Sequence, residues 1–328
     1  MIPLVSIVIP VYNQKSSFLI QCIESAINQT YNNLEILISN NHSTNGCDKV
    51  IDEYSLKDSR IKVIKPSIHV NMTDHFNYAG NKAKGKYISF LSSDDFLEPD
   101  CINKLMEILI QNPKVAMGYC NNNMLDDSTN VSTPIRNNSF KTGIYSPKIL
   151  SDRFYNYTEY WIIGGIFKRE IFIENNFPDH IVAGDWVLGF KILKYGEVAY
   201  INEVLSTIRT HERIGDAKEN YSALYIQHEI ERMKKHDCII EDVDLLYKIG
   251  MPKSKAEKYK YKEQIFSYIT LIRKYRNGLI SENMIDEIFQ KINPHQYGYF
   301  AKYFAANYKS KTCYYLSFFA GQFVKYSL

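Results

Sequence analysis

The six cysteines of this chain, Cys22, Cys47, Cys101, Cys120, Cys238 and Cys313, form no CxxC pair and show no metal-ligand spacing. Scattered through mostly apolar patterns, they are expected to be reduced thiols of a cytosolic protein. No run of about 20 apolar residues occurs, so no membrane-spanning helix is expected. The amino terminus lacks the charged-then-apolar layout of a secretory signal. Internal repeats and low-complexity segments are absent as well. Neither GxGxxG nor GxxxxGK[ST] closes any of the predicted strands, which argues against a dinucleotide dehydrogenase or a P-loop enzyme. The formal net charge of +3 is too small to mark a nucleic-acid binder.

What is present is a chain of 328 residues, 45% hydrophobic and 23% charged, an ordinary globular balance with room for one large domain or two smaller ones. Charge is unevenly spread: from Lys248 onward 14 Lys and Arg face 5 Asp and Glu, leaving a basic tail and a mildly acidic body.

Residues 5–11, VSIVIPV, are β-branched almost throughout, the pattern of a strand buried on both faces of a parallel sheet. Leu19, Ile23, Ala26 and Ile27 then recur at helical spacing. Further strands are predicted at 34–38, at 60–65 and in the stretch that ends at Asp94-Asp95, with helices at 50–54 and 71–83 between them. Such alternation predicts a mainly parallel sheet flanked by helices, with ligands at the carboxyl ends of its strands. The loops at Tyr12-Asn13, at residues 39–45 and at Asp94-Asp95 should therefore meet in one crevice. Beyond them, a helix is predicted to about Gln111, a strand at 115–120, and a long polar loop from Asn121 to Ser139. A helix opens at Asp185, and residues 198–210 predict strand, turn and strand.

The chain is organised around KYISFLSSDD, residues 86–95, a short apolar strand that ends in two adjacent carboxylates. Two acids at a strand's carboxyl end suit a divalent cation, or the hydroxyls and phosphates it would bridge. They equally suit the cap of the next helix.

The motifs Val-Ser-Ile-Val-Ile-Pro-Val-Tyr-Asn, Asn28-Gln29-Thr30-Tyr31, Lys84-Gly85-Lys86-Tyr87-Ile88, Ser92-Ser93-Asp94-Asp95, Gly164-Gly165, Gly184-Asp185 and Arg209 with His211 follow in that order. Over roughly residues 3–213 the chain resembles the catalytic domain of glycosyltransferase family 2, of GT-A fold. The resemblance implies transfer of a sugar from a nucleotide-sugar donor to an acceptor hydroxyl, with inversion and with Mn2+ or Mg2+. It implies that Asp95 and His211 face the metal and diphosphate, and that Asp94 faces the ribose. Pro10 and Tyr12 would pack on the base, and Asn71 falls with the donor-binding residues. Arg209 is grouped with them, while Trp161, Gly164 and Gly165 would shape the sugar pocket. Asp185 would be the general base. Asn40 and Asn41 stand where relatives commonly carry aspartates, one of which reads uracil, and Ser92 stands where an Asp is frequent. An amide both donates and accepts, so the base of the donor stays open.

Residues 214–328 read as a helical carboxyl-terminal region, with helices at 221–235, 253–276, 282–292 and from Tyr297 onward. The last interleaves aromatics with lysines, a composition that suits an anionic membrane surface and a polyprenyl-linked saccharide acceptor, as in O-antigen or capsule assembly. It equally suits packing on the body or on a second copy of the chain. The expected location is cytoplasmic, peripheral on the cytoplasmic face of the inner membrane. Two other readings remain: a nucleotidyltransferase of similar fold, although residues 12–16 lack its Gly- and Lys-rich loop, and a non-catalytic scaffold that binds sugar nucleotides.

Overall fold

A computed structural model describes residues 2–134, 141–156, 164–178, 184–210, 237–291, 307 and 309. It divides into two compact units, one of residues 1–179, 184–213 and 248–250, the other of residues 180–183, 214–247 and 251–328.

The first unit is built on a sheet whose described strands run β3-β2-β1-β4-β9-β6-β10-β5, with β7 beside β6 and β8 beside β10. Strands β1 (Val5–Val11), β2 (Leu34–Asn40), β3 (Ile61–Ile64) and β4 (Tyr87–Phe90) are mutually parallel. Every residue of β1, β2 and β4 is buried, as their continuous apolar runs require of strands covered on both faces. On one face lie helices α1 (Ser16–Ile27), α2 (Cys47–Lys57) and α4 (Cys101–Gln111). Leu19 and Ile23 of α1 and Leu105 and Met106 of α4 join Ile7, Ile9, Ile36 and Ile38 in a single apolar core. Each such side chain contributes roughly 1.5–3 kcal/mol on burial.

The other face carries α3 (Met72–Lys82) and α6 (Arg169–Asn175) over an aromatic cluster of Phe76, Phe90, Phe167, Phe172 and Phe177. Helix α3 approaches so closely that a Cβ on Gly80 would lie 2.3 Å from the Phe172 ring. At the amino ends of the strands the Ser6 hydroxyl donates to Glu35, which also accepts the Lys84 N–H at 2.9 Å. The Gly85 N–H donates to Ser6 Oγ at 2.8 Å, so a buried acid ties β1, β2 and the entry to β4 together.

The second half of the sheet is mixed. Strand β6 (Val115–Asp126) runs six residues past the predicted strand, through the asparagines expected to form a long loop, and turns back through β7 (Val131–Pro134). Asn121 and Asn122 are buried and pair in register with Val204 and Ser206 of β10 (Glu197–Thr210). Strand pairing here overrides a weak local preference. Strand β10 is continuous, and the predicted turn within it is a pair of register shifts between Ile201 and Ser206. Short strands β5 (Phe96–Leu97), β8 (Gly143–Tyr145) and β9 (Ile166–Lys168) complete the sheet, and β9 lies between β4 and β6. Helix α5 (Pro147–Asn156) follows β8, and α7 (Gly184–Ile192) precedes β10.

The described part of the second unit is helical: α8 (Asp237–Ile240), α9 (Val243–Lys248), α10 (Lys253–Arg276) and α11 (Glu282–Lys291). Of the basic, aromatic tail, Lys309 pairs with Glu282 at the start of α11 at 2.5 Å. The helix predicted at 221–235 and most of the tail lie outside the described residues. Among the described residues no helix is long and apolar enough to cross a membrane.

Candidate active site

The three loops predicted to meet do so through hydrogen bonds among their own polar side chains. Asn13, in the left-handed region at φ 45°, accepts the Thr44 N–H on Oδ1 at 2.7 Å, and its own N–H donates to Ser43 Oγ at 3.0 Å. Asn45 donates to the Gln14 carbonyl at 2.8 Å, and Gln14 Nε2 donates to Ser93 Oγ at 3.2 Å. The polar composition of these loops, which reads as turn chemistry, here stitches the carboxyl ends of β1, β2 and β4 together.

Residues 92–95 form a tight turn in which the Asp95 N–H donates to the Ser92 carbonyl at 3.0 Å. The Cys22 thiol of α1 donates to the same carbonyl at 3.4 Å, and burial beneath the two acids keeps that thiol protonated. Asp95 is buried and Asp94 is partly exposed. Burial first, and then the adjacent Asp94, push the Asp95 carboxyl well above the usual carboxylate range. The Arg209 N–H and the Ser92 hydroxyl pull against that rise.

Strand β5 begins at the residue after Asp95 and pairs antiparallel with β10, Phe96 opposite Thr207. That register brings Arg209 onto the turn. Its N–H donates to Asp95 Oδ1 at 2.8 Å and its Nε to the Asp94 carbonyl at 3.1 Å. Nη1 donates to Asp127 at 2.9 Å, Nη2 donates to Gln21, and the guanidinium lies 4.2 Å over the Phe18 ring. Arg209, expected as a donor contact, is thus engaged along its whole length in holding the acidic turn. Asp127, Gln21 and Phe18 were not singled out from sequence, because only the β5–β10 pairing gathers them.

The remaining predicted residues are placed as follows. Pro10 is buried in β1 opposite Ser39, and Tyr12 is exposed with its ring 4.7 Å from that of His69. Asn40 accepts the Ser43 N–H at 2.9 Å, and the Asn41 amide both donates to the Val70 carbonyl at 2.7 Å and accepts its N–H at 3.1 Å. Asn71 caps α3, accepting the Asp74 N–H at 2.9 Å. Gly164 adopts φ +72°, and a Cβ there would lie 2.3 Å from Ser206 Oγ, so both backbone and neighbour require glycine. Gly165 links it to β9, the neighbour of β4. Asp185 is half-buried in the first turn of α7, where the helix dipole favours the ionised form. His211 and Trp161 lie outside the described residues.

Behind this site, Gln29 donates to the Glu98 carbonyl at 2.8 Å and accepts the Ile102 N–H at 3.0 Å, fixing the start of α4 after the acidic turn.

The sequence profile described as "Glycosyl transferase family 2" matches residues 6–175, a little over half of the chain. The chain belongs to glycosyl transferase family 2. This family member is 33% identical over 150 residues to a chondroitin synthase of Escherichia coli, a match covering 46% of the chain and 21% of that relative. It spans about a fifth of the length of the curated relatives it matches first. Its fold is that of S. aureus TarS 1-349 in complex with UDP, at TM-score 0.58 and 14% identity over 97% of this chain and 91% of that one. It is also that of the mannosyltransferase PcManGT from Pyrobaculum calidifontis in complex with GDP-Man and Mn2+, at TM-score 0.57 and 15% identity over 99% and 88%. The fold is therefore GT-A, as the sequence resemblance implied.

Proposed function

We propose that this glycosyltransferase moves a sugar from a nucleoside diphosphate to a hydroxyl of a saccharide acceptor, with inversion, in the assembly of a bacterial surface polysaccharide such as an O-antigen or capsule. The observation that carries this reading is the Asp94-Asp95 turn, one acid buried and one partly exposed, at the carboxyl ends of parallel strands. The printed ligands of TarS and PcManGT support a nucleotide-sugar donor, and the chondroitin synthase supports a polysaccharide product.

The acidic pair fits a magnesium or manganese ion. Among the described residues no three metal-ligating side chains come together. An ion bound largely through substrate phosphates and water needs only one or two protein carboxylates, however. Burial first, and then Asp94, disfavour the ionised Asp95 carboxyl, and a cation beside it would favour that form. Asp95 would hold such an ion, with Asp94 beside it toward the ribose, and the ion would supply charge stabilisation to the departing diphosphate.

Asp185 would accept the proton of the acceptor hydroxyl as that oxygen attacks the anomeric carbon from the face opposite the leaving group. The nucleoside diphosphate leaves with the bonding electrons, so no second carboxylate is needed to protonate it. Arg209 sets the two acids in place rather than contacting the donor. Arg209 and Asp185 both occupy the sheet unit. The lysine- and aromatic-rich tail supports a polyprenyl-linked acceptor and peripheral contact with the cytoplasmic face of the membrane; binding of the full chain to anionic but not neutral vesicles tests that part.

Transfer assayed with purified protein tests the whole. Asp185→Asn is expected to lower the rate by about 100-fold or more with the melting temperature kept. The product should carry the anomeric configuration opposite to the donor's. Transfer by Asp185→Asn at the wild-type rate would remove Asp185 as the base.

A further inference from the structure

The acids and the base account for the chemistry but leave open how the donor's nucleobase is recognised, since amides stand at positions 40 and 41. The segment after β3 answers this. Val70 is gripped on both main-chain groups by the Asn41 side chain, at 2.7 and 3.1 Å. That grip requires an amide, because a carboxylate at position 41 could accept the Val70 N–H but could not donate to its carbonyl. His42, in the left-handed region at φ 60°, donates Nε2 to the Pro66 carbonyl at 3.0 Å. The Tyr78 hydroxyl donates to the Lys65 carbonyl at 2.7 Å.

Residues 65–70 are thus fastened at three points, two on the loop after β2 and one on α3. The residue so presented is His69. Its ring meets that of Tyr12 at 4.7 Å and 53°, and both side chains are exposed. Two exposed rings meeting at an angle at the carboxyl end of β1 form an aromatic corner. One ring offers a stacking face, and the imidazole offers a donor and an acceptor toward the edge of whatever stacks there.

We propose that His69 is a specificity-determining residue that reads the nucleobase of a nucleoside diphosphate seated against Tyr12, and that Asn41 is the positioning residue that sets it. This rests on the assignment of the crevice to the donor. The asparagine at 41 is then no weakened base reader: it has become a clamp, and recognition has passed from a carboxylate to an imidazole one loop away.

Calorimetric titration of the full chain with UDP, GDP, CDP and dTDP, and with inorganic pyrophosphate as a base-free probe, tests this in the presence of manganese. His69→Ala is expected to weaken the preferred nucleoside diphosphate at least tenfold and to compress the differences among the four bases. Pyrophosphate binding should stay within twofold. As His69 is exposed, its melting temperature should match the wild type. Asn41→Asp should shift the nucleotides in the same direction without affecting pyrophosphate. If His69→Ala keeps both the affinity and the ranking of the bases, the assignment of His69 is overturned while the donor site stands. If Asn41→Asp binds all four as the wild type does, the clamp is overturned. If the wild type binds none of the four, the proposal falls together with the donor site.

Discussion

The main-chain N–H of Arg209 donates to the carboxylate of Asp95 at 2.8 Å, across 114 residues of sequence, while the side chain of the same arginine returns to the carbonyl of Asp94. One residue therefore fixes both acids of the candidate metal-holding turn, one through its backbone and the other through its guanidinium.

Arg209→Met keeps the backbone contact and removes the side-chain ones, leaving the Asp94 carbonyl without its guanidinium donor and Asp127 with Lys15 at 3.8 Å. The guanidinium is almost wholly buried but Asp127 is about one-third exposed, so the cost should be about 1–3 kcal/mol rather than the larger figure for a fully buried pair. Thermal unfolding measures this. Nucleoside diphosphate binding should weaken in Arg209→Met more than in Asp127→Asn, and equal weakening would place the effect in the ion pair alone.

His75 is buried on α3 with Nε2 2.9 Å from Ser39 Oγ, and burial lowers its pKa to about 4. The folded state holds it neutral, so the unfolded chain takes up the proton first as the pH falls. Stability should be full above about pH 6.5 and decline toward pH 4, by up to about 3 kcal/mol from this residue. His75→Gln should flatten that part of the stability–pH curve measured by denaturant unfolding.

Gly80→Ala should destabilise although alanine is the better helix former by about 1 kcal/mol. The new methyl meets the rings of Phe172 and Phe90 at 2.3–2.7 Å, and both rings are buried in the aromatic cluster. A net loss of about 1–3 kcal/mol is expected. Adding Phe172→Leu should cost less on this background than in the wild type, which a double-mutant cycle reads directly.

Ser89, fully buried in β4, has a hydroxyl with no hydrogen-bond partner among the described residues. Removing an unpaired polar group from such a site is neutral or favourable, so Ser89→Ala should leave the melting temperature unchanged or raise it. A fall of several degrees would mean the hydroxyl is paired after all.

The parallel half of the sheet was legible because its information is local. Buried β-branched runs such as residues 5–11 have one comfortable conformation, and periodicity in α1 and α4 specifies which face they bury. The meeting of the loops after β1, β2 and β4 followed from the same pattern, since parallel strands place their carboxyl ends together. The path of β6 was not legible. Asn121 to Asn123 read as loop by propensity, and they form strand because β10 offers partners for their backbone.

The sequence by itself determined the family, the fold and the position of the acidic pair, since each depends on motifs whose chemistry is complete within a few residues. The tertiary structure alone decided what several of those residues do. Arg209 became the holder of the acidic turn through the β5–β10 register, Asn41 a clamp through the approach of Val70, and His69 a partner of Tyr12 through that clamp. Such roles arise from hydrogen bonds between residues tens to more than a hundred positions apart. A side chain's donors and acceptors can be counted in a sequence, but which of them are already engaged is settled only when the chain folds.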